Sequence, residues 1–184
     1  KFDASAKQDE SIIGYYTDEN SDGMYDLTFL SEETIYANKN ASYLFYYLTN
    51  LKSIDFINFK TDGVTTMERM FYNCNGLAGV DASNFDTSKV NNMSYMFYGC
   101  IKLTSLNVSD LDTSNVINMS SMFRGCTILT KLDVSNFNTS QVTTMNNMFR
   151  GCSALTELDV SNLDTSNVTD MISMFSVCEG LKSL

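Results

Sequence analysis

The sequence predicts an α/β solenoid of 26-residue coils, each a short parallel strand followed around by a short helix. Three observations point there. First, like residues recur at an unbroken step of 26: Cys74, Cys100, Cys126, Cys152 and Cys178, and with them Phe71, Phe97, Phe123, Phe149 and Phe175. Second, within one unit Val116, Met119, Met122, Phe123 and Cys126 fall on one stripe of a helix of about three turns. Third, Leu129, Leu132 and Val134 follow as L-x-x-L-x-V, whose last part alternates like a strand, with Asn107 and Ser109 marking the outward side one unit earlier.

The elements follow in chain order. Residues 1–32 read as an N-terminal β-hairpin cap, because strand-like runs flank Asp22–Gly23, a strong tight-turn pair. Asp18, Asn20, Asp22 and Asp26 have the opening spacing of an EF-hand-like loop and are weak calcium candidates. Phe29 stands where the bidentate Glu belongs, so no metal is expected. Residues 33–184 hold about six repeats, beginning with a worn copy (Leu44, Phe45, Leu48, Leu51, Ile54, Phe59) and ending in a truncated one. Thr113 or Ser114 would cap the helix start, and the row Thr87, Thr113, Thr139 and Thr165 has the same explanation. Gly99, Gly125 and Gly151 sit where a left-handed residue would end the helix. Asn73 can serve there at some cost, and Val177 predicts a distorted end.

A single unit cannot bury its apolar stripe alone, so stacking supplies the core. The cysteines then read as inert core thiols: five is an odd set without a C-x-x-C pair. A disulfide between neighbouring units is within reach but strained in a parallel ladder, and metal ligation is the lesser alternative. The Met pairs (Met119 and Met122, for example) are core filler rather than a soft-metal site.

Composition narrows function. A net charge of −10 argues against nucleic acid, and no run of eighteen apolar residues exists to span a bilayer. The chain has no His, no G-x-S-x-G and no P-loop, and its acids repeat rather than forming one asymmetric pair. A non-enzymatic protein without cofactors is therefore expected.

The phrase [DN]-T-S-x-V-x-x-M-x-x-M-F-x-G-C-x-x-L-x-x-L-[DN]-V-S, nearly complete in four copies, resembles the 26-residue repeat of bacterial surface proteins. That repeat is known from BspA-like leucine-rich repeat proteins and from surface lipoproteins of mycoplasmas and Gram-positive bacteria. The resemblance implies a right-handed, leucine-rich-repeat-like solenoid on a secreted or cell-surface protein that acts in adhesion or partner binding. The chain departs from standard leucine-rich repeats where Asn is usual: Phe85, Leu111, Phe137 and Leu163 stand there, with Asn84, Asp110, Asn136 and Asn162 one residue earlier.

Two columns are candidate binding surfaces. Asp55, Asp81, Asn107, Asp133 and Asp159 should point outward from the strand face, where stacked carboxylates await cations, hydrogen bonds or a basic partner. Tyr46, Tyr72, Tyr98, Arg124 and Arg150 should line the helix exterior, with Tyr43, Arg69 and Tyr95 on the same side. Tyr and Arg are residues that dominate protein contacts. The strand face is the preferred side. The expected function is adhesion at the bacterial cell surface, to a host or neighbouring-cell protein or an extracellular-matrix macromolecule. The rival is a structural stalk displaying another domain. Self-association through an uncapped C-terminal coil is a further expectation.

Overall fold

The computed structural model describes residues 2–3, 13–30, 34–56 and 58–184. Strands β2 (Ile13–Thr17) and β3 (Tyr25–Leu30) form an antiparallel hairpin, in register from Ile13 opposite Leu30 to Thr17 opposite Asp26. The short β1 (Phe2–Asp3) pairs on the outer edge of β2. On its other side β3 runs parallel to β5 (Leu51–Asp55), which joins the hairpin to the first repeat, and Leu27 of β3 is buried in the common core. Strands β4 (Ile35–Tyr36) and β6 (Phe59–Lys60) make a second, parallel pair, and β7 (Gly79–Asp81) and β8 (Ser105–Asn107) a third.

The expected fold class, a right-handed leucine-rich-repeat-like solenoid with a helix and a strand in every coil, is not what the chain adopts. Among the described residues there is no helix, and regular strands are confined to these small sheets. The backbone bonds show why. A helix would join each N–H to the carbonyl four residues earlier. In the stretch 119–126 alternate amides instead point two ways. Met119, Ser121, Phe123 and Gly125 donate to the carbonyls of Thr144, Asn146, Met148 and Arg150 in the next unit, at 2.8–3.1 Å. Met122, Arg124 and Cys126 donate to carbonyls three residues back, closing successive reverse turns. Ser121 (φ 56°) and Gly125 (φ 79°) lie in the left-handed region, which interrupts any right-handed helix. The same pair of positions is left-handed at Arg69 and Asn73, at Tyr95 and Gly99, and at Asn147 and Gly151.

Overlapping turns closed from i to i+3 bring those two positions to one side, as a helix does. Val116, Met119, Met122, Phe123, Cys126 and Leu129 are therefore all fully buried although nothing helical carries them. Val177 takes φ 61° like the glycines of its column, so the distorted end expected there is absent and the strain falls on a β-branched residue. The L-x-x-L-x-V segments are strands only in β5, β7 and β8. Their counterparts around residues 131–133 and 157–159 are not, apart from one bridge between Glu157 and Ser183.

What repeats without interruption is the bonding between units. Parallel bridges link Asn40, Thr66, Asn92, Asn118, Thr144 and Asp170 in one column. The phenylalanines stack face to face, with ring centroids 5.3 Å apart for Phe71–Phe97, 6.0 Å for Phe97–Phe123 and 5.7 Å for Phe123–Phe149. The threonines expected to cap helices are instead buried staples. Thr87, Thr113 and Thr139 donate their hydroxyls to the carbonyls of Asp112, Asn138 and Asp164, each in the next unit, at 2.9–3.0 Å.

The five thiols are free and also bond between units. Cys74, Cys100, Cys126, Cys152 and Cys178 donate to the carbonyls of Phe45, Phe71, Phe97, Phe123 and Phe149, at 3.0–3.3 Å. A Phe carbonyl such as that of Phe71 also accepts the Cys74 amide, so the thiol of the following unit uses its second lone pair.

Candidate functional site

The acidic column is exposed along its length, from Asp55 at the end of β5 through Asp81, Asn107 and Asp133 to Asp159. One oxygen each of Asp81, Asp133 and Asp159, and that of Asn107, is turned onto the chain's own backbone. Oδ1 of Asp81, Asp133 and Asp159 accepts the amide of Ser83, Ser135 and Ser161 at 2.9–3.0 Å, and Asn107 Oδ1 accepts that of Ser109 at 3.3 Å. These are Asx turns, in which a short side chain stands in for a backbone carbonyl. Asn107 Nδ2 also donates to Asp81 Oδ1 at 3.0 Å, tying two units together. Hydrogen bonds from Ser83, Ser135 and Ser161, through amide and hydroxyl, hold the three carboxyls below the ordinary carboxylate range. The same turn recurs at Asp86, Asp112 and Asp164, so the column is one of several that bend the chain and is not chemically singled out.

In the hairpin loop Asp18 accepts the amides of Asp22 and Gly23, and Asp22 accepts the amide of Met24 and the Asn20 amide group. Their oxygens close the loop on itself. Asp26 lies apart, accepting the Ser53 hydroxyl at 2.5 Å, with Lys52 4.0 Å away. Among the described residues no three His, Cys, Asp or Glu side chains converge as a metal site would require.

The second column is a continuous ladder. Tyr46 and Tyr72 stack with centroids 5.1 Å apart, and Tyr72 and Tyr98 at 4.5 Å with rings only 3° from parallel. The Arg124 guanidinium then takes the place of the next ring, 5.3 Å from the Tyr98 centroid. Beside it, Arg69 lies between Tyr43 and Tyr95 at 5.4 and 4.7 Å, hydrogen-bonds the Tyr43 hydroxyl and pairs with Glu68 at 2.5 Å. Tyr47, not anticipated from the sequence, leans on Tyr46 at 4.7 Å and is half exposed. The Tyr46–Tyr47 doublet is its signal: both follow buried Phe45 and both are exposed. With ring faces spent on one another, the ladder presents ring edges, phenol hydroxyls and guanidinium groups.

Arg150 bonds Asn147 Oδ1 at 3.3 Å. Between the arginines and the glycine column runs an open trench of about 230 Å³, lined by Tyr98, Ile101, Arg124, Thr127, Arg150 and Val177 and floored by Gly99, Gly125 and Gly151. At the last unit Met171, Ile172, Val177 and Leu184 are exposed, whereas Met145, one unit before Met171, is fully buried.

No curated protein and no solved structure matches the chain. One family does, over residues 39–132 and again over 102–183, so that overlapping copies of its pattern run through nearly all the repeats. The match carries the mycoplasma part of the resemblance seen in the sequence and not the BspA-like part. The chain belongs to the repeat family described as "Mycoplasma protein of unknown function, DUF285".

Proposed function

We propose that the chain is a non-enzymatic binding module, displayed at the bacterial cell surface, that engages a host or neighbouring-cell protein through its tyrosine–arginine face. The observation that carries this reading is the Tyr46–Tyr72–Tyr98–Arg124 ladder. Large, rigid, amphipathic side chains are held there at a regular spacing, so little side-chain entropy is left to lose on binding. The acidic column supports the reading by contrast, since one oxygen of each of its Asp81, Asp133 and Asp159 carboxylates already closes a turn.

The test is biolayer interferometry of the purified chain against extracellular-matrix and plasma proteins, with two variants alongside. Tyr46→Ser/Tyr72→Ser is expected to weaken binding more than tenfold. Asp81→Asn/Asp133→Asn/Asp159→Asn is expected to leave it within about twofold, as surface changes outside an interface do. A chain that binds no member of the panel, or one that loses binding only in the Asp variant, overturns the proposal. The first result favours a stalk.

A further inference from the structure

We propose that the glycine-floored trench docks an extended acidic segment of a partner protein, its carboxylates on Arg124 and Arg150 and its apolar side chains against Ile101 and Val177. This rests on the reading of the tyrosine–arginine face as a protein-binding surface, and it names the chemistry of the partner.

The argument begins with the column that makes the floor: Tyr47, Asn73, Gly99, Gly125, Gly151 and Val177 in successive units. All six are left-handed, with φ between 54° and 79°. Tyr, Asn and Val hold that conformation in this same column, so the backbone does not by itself exclude side chains from the middle units. What glycine adds there is space. Asn73 shows what a side chain would do to it: its Oδ1 lies 2.0 Å from where a Cβ on Gly99 would stand, so the amide lies across the next glycine. Gly125 and Gly151 have no such cover, and the trench opens over them.

Charge supplies the second line. In a chain of net charge −10, Arg124 and Arg150 stand one unit apart on the trench wall, and among the described residues neither forms a salt bridge. Arg69, deeper in the ladder, is neutralised by Glu68. A guanidinium offers a planar fork of donors that fits a carboxylate bidentately. Two of them one unit apart can each take a carboxylate from one side of an extended strand. Same-side residues of a strand lie about 6.6 Å apart, and the long Arg side chains make up the difference from the shorter step between units. Ile101 and Val177, each about half exposed, add apolar footing at the margins. A long polyanion would meet the same two arginines but also the acidic remainder of the surface, which repels it, whereas a short acidic peptide meets only the local field.

The experiment is fluorescence anisotropy with a fluorescein-labelled peptide of alternating Asp and Leu, its Asn/Leu counterpart, and labelled heparin. Variants are Arg124→Gln/Arg150→Gln and Gly125→Asn. The second fills the trench with a residue this column already accepts at position 73, and a Cβ on Gly125 meets only Gly99 at 3.5 Å, an ordinary contact. The Asp/Leu peptide is expected to bind, and to bind at least tenfold more weakly to either variant, with unchanged circular dichroism. The Asn/Leu peptide is expected to bind at least tenfold more weakly to the wild type. The proposal is overturned if the Asp/Leu peptide fails to bind, if it binds both variants as it binds the wild type, or if only heparin responds to them. Should the panel proteins lose binding to Tyr46→Ser/Tyr72→Ser yet bind Arg124→Gln/Arg150→Gln normally, the tyrosine surface stands and the trench falls.

Discussion

Replacing Ser121 by Gly should stabilise the protein, although Gly usually does the opposite. Ser121 is buried, its hydroxyl has no hydrogen-bond partner, and its backbone sits at φ 56°. The left-handed conformation costs an L-residue roughly 1–2 kcal/mol. A buried hydroxyl without a partner costs about 1–3 kcal/mol. Glycine removes both and gives back about 0.5–1 kcal/mol through the greater freedom of its unfolded chain. The expected net gain is about 1–4.5 kcal/mol, and each kcal/mol raises Tm by roughly 2–4 °C in a chain of this size. Urea unfolding followed by circular dichroism measures it, with the slope unchanged. Ser121→Ala should gain less, because it removes the hydroxyl and keeps the strain. If Ser121→Gly were less stable than the wild type, the residue would not be left-handed or its hydroxyl would be bonded, and the turn account would fail at its centre.

Three further outcomes are expected. Thr113→Val strands the amide and carbonyl of Asn138, which bond the hydroxyl at 2.8 and 3.0 Å, and should cost about 1–3 kcal/mol in the same urea assay; a neutral result would mean the staple carries nothing. With a chromogenic disulfide reagent at pH 8, half-buried Cys178 should react first, while Cys74, Cys100, Cys126 and Cys152 react only on unfolding. Two or more fast thiols in the native state would contradict the column. Stability should fall at both ends of the pH scale. Asp81, Asp133 and Asp159 sit below their ordinary range when folded, so the unfolded chain takes up protons first and their contribution, present at neutral pH, is lost on acidification. Burial pushes the Cys74 and Cys152 thiols up to about 12, so the unfolded chain releases protons first and stability drains away as pH rises from about 9 towards 12. A Tm unchanged between pH 8 and 11 would refute the thiol part.

The period and its columns were legible because identical residues recurred at one step, and burial of Phe123, Met119 and Cys126 followed from that alone. The sequence points, for a physical reason, to a helix that the chain does not form. Overlapping turns closed by i to i+3 hydrogen bonds and helices of 3.6 residues per turn bury the same i and i+3 positions over so short a run. The distinguishing residues were the left-handed pairs four apart. Gly125 in sequence reads as the left-handed residue that ends a helix, and its companion Ser121 carries no such mark, since Tyr43, Arg69 and Tyr95 fill the same place. The threonines went the same way, because a hydroxyl that staples two units looks in sequence like one that caps a helix. Of the candidate site, the tyrosine–arginine column was visible as a column. Its stacked geometry, and the trench beside it, depend on neighbours 26 residues away and on what glycine leaves open.

The direction of the bonds leaving the 119–125 amides tests the central claim, that units are joined by alternating turn and inter-unit hydrogen bonds. Through-hydrogen-bond scalar couplings in a ¹⁵N,¹³C-labelled sample read donor and acceptor directly. Couplings from the amides of Met119, Ser121, Phe123 and Gly125 to the carbonyls of Thr144, Asn146, Met148 and Arg150 are the expected result. A coupling from the Phe123 amide to the Met119 carbonyl, four residues back, would restore the helix and contradict the account.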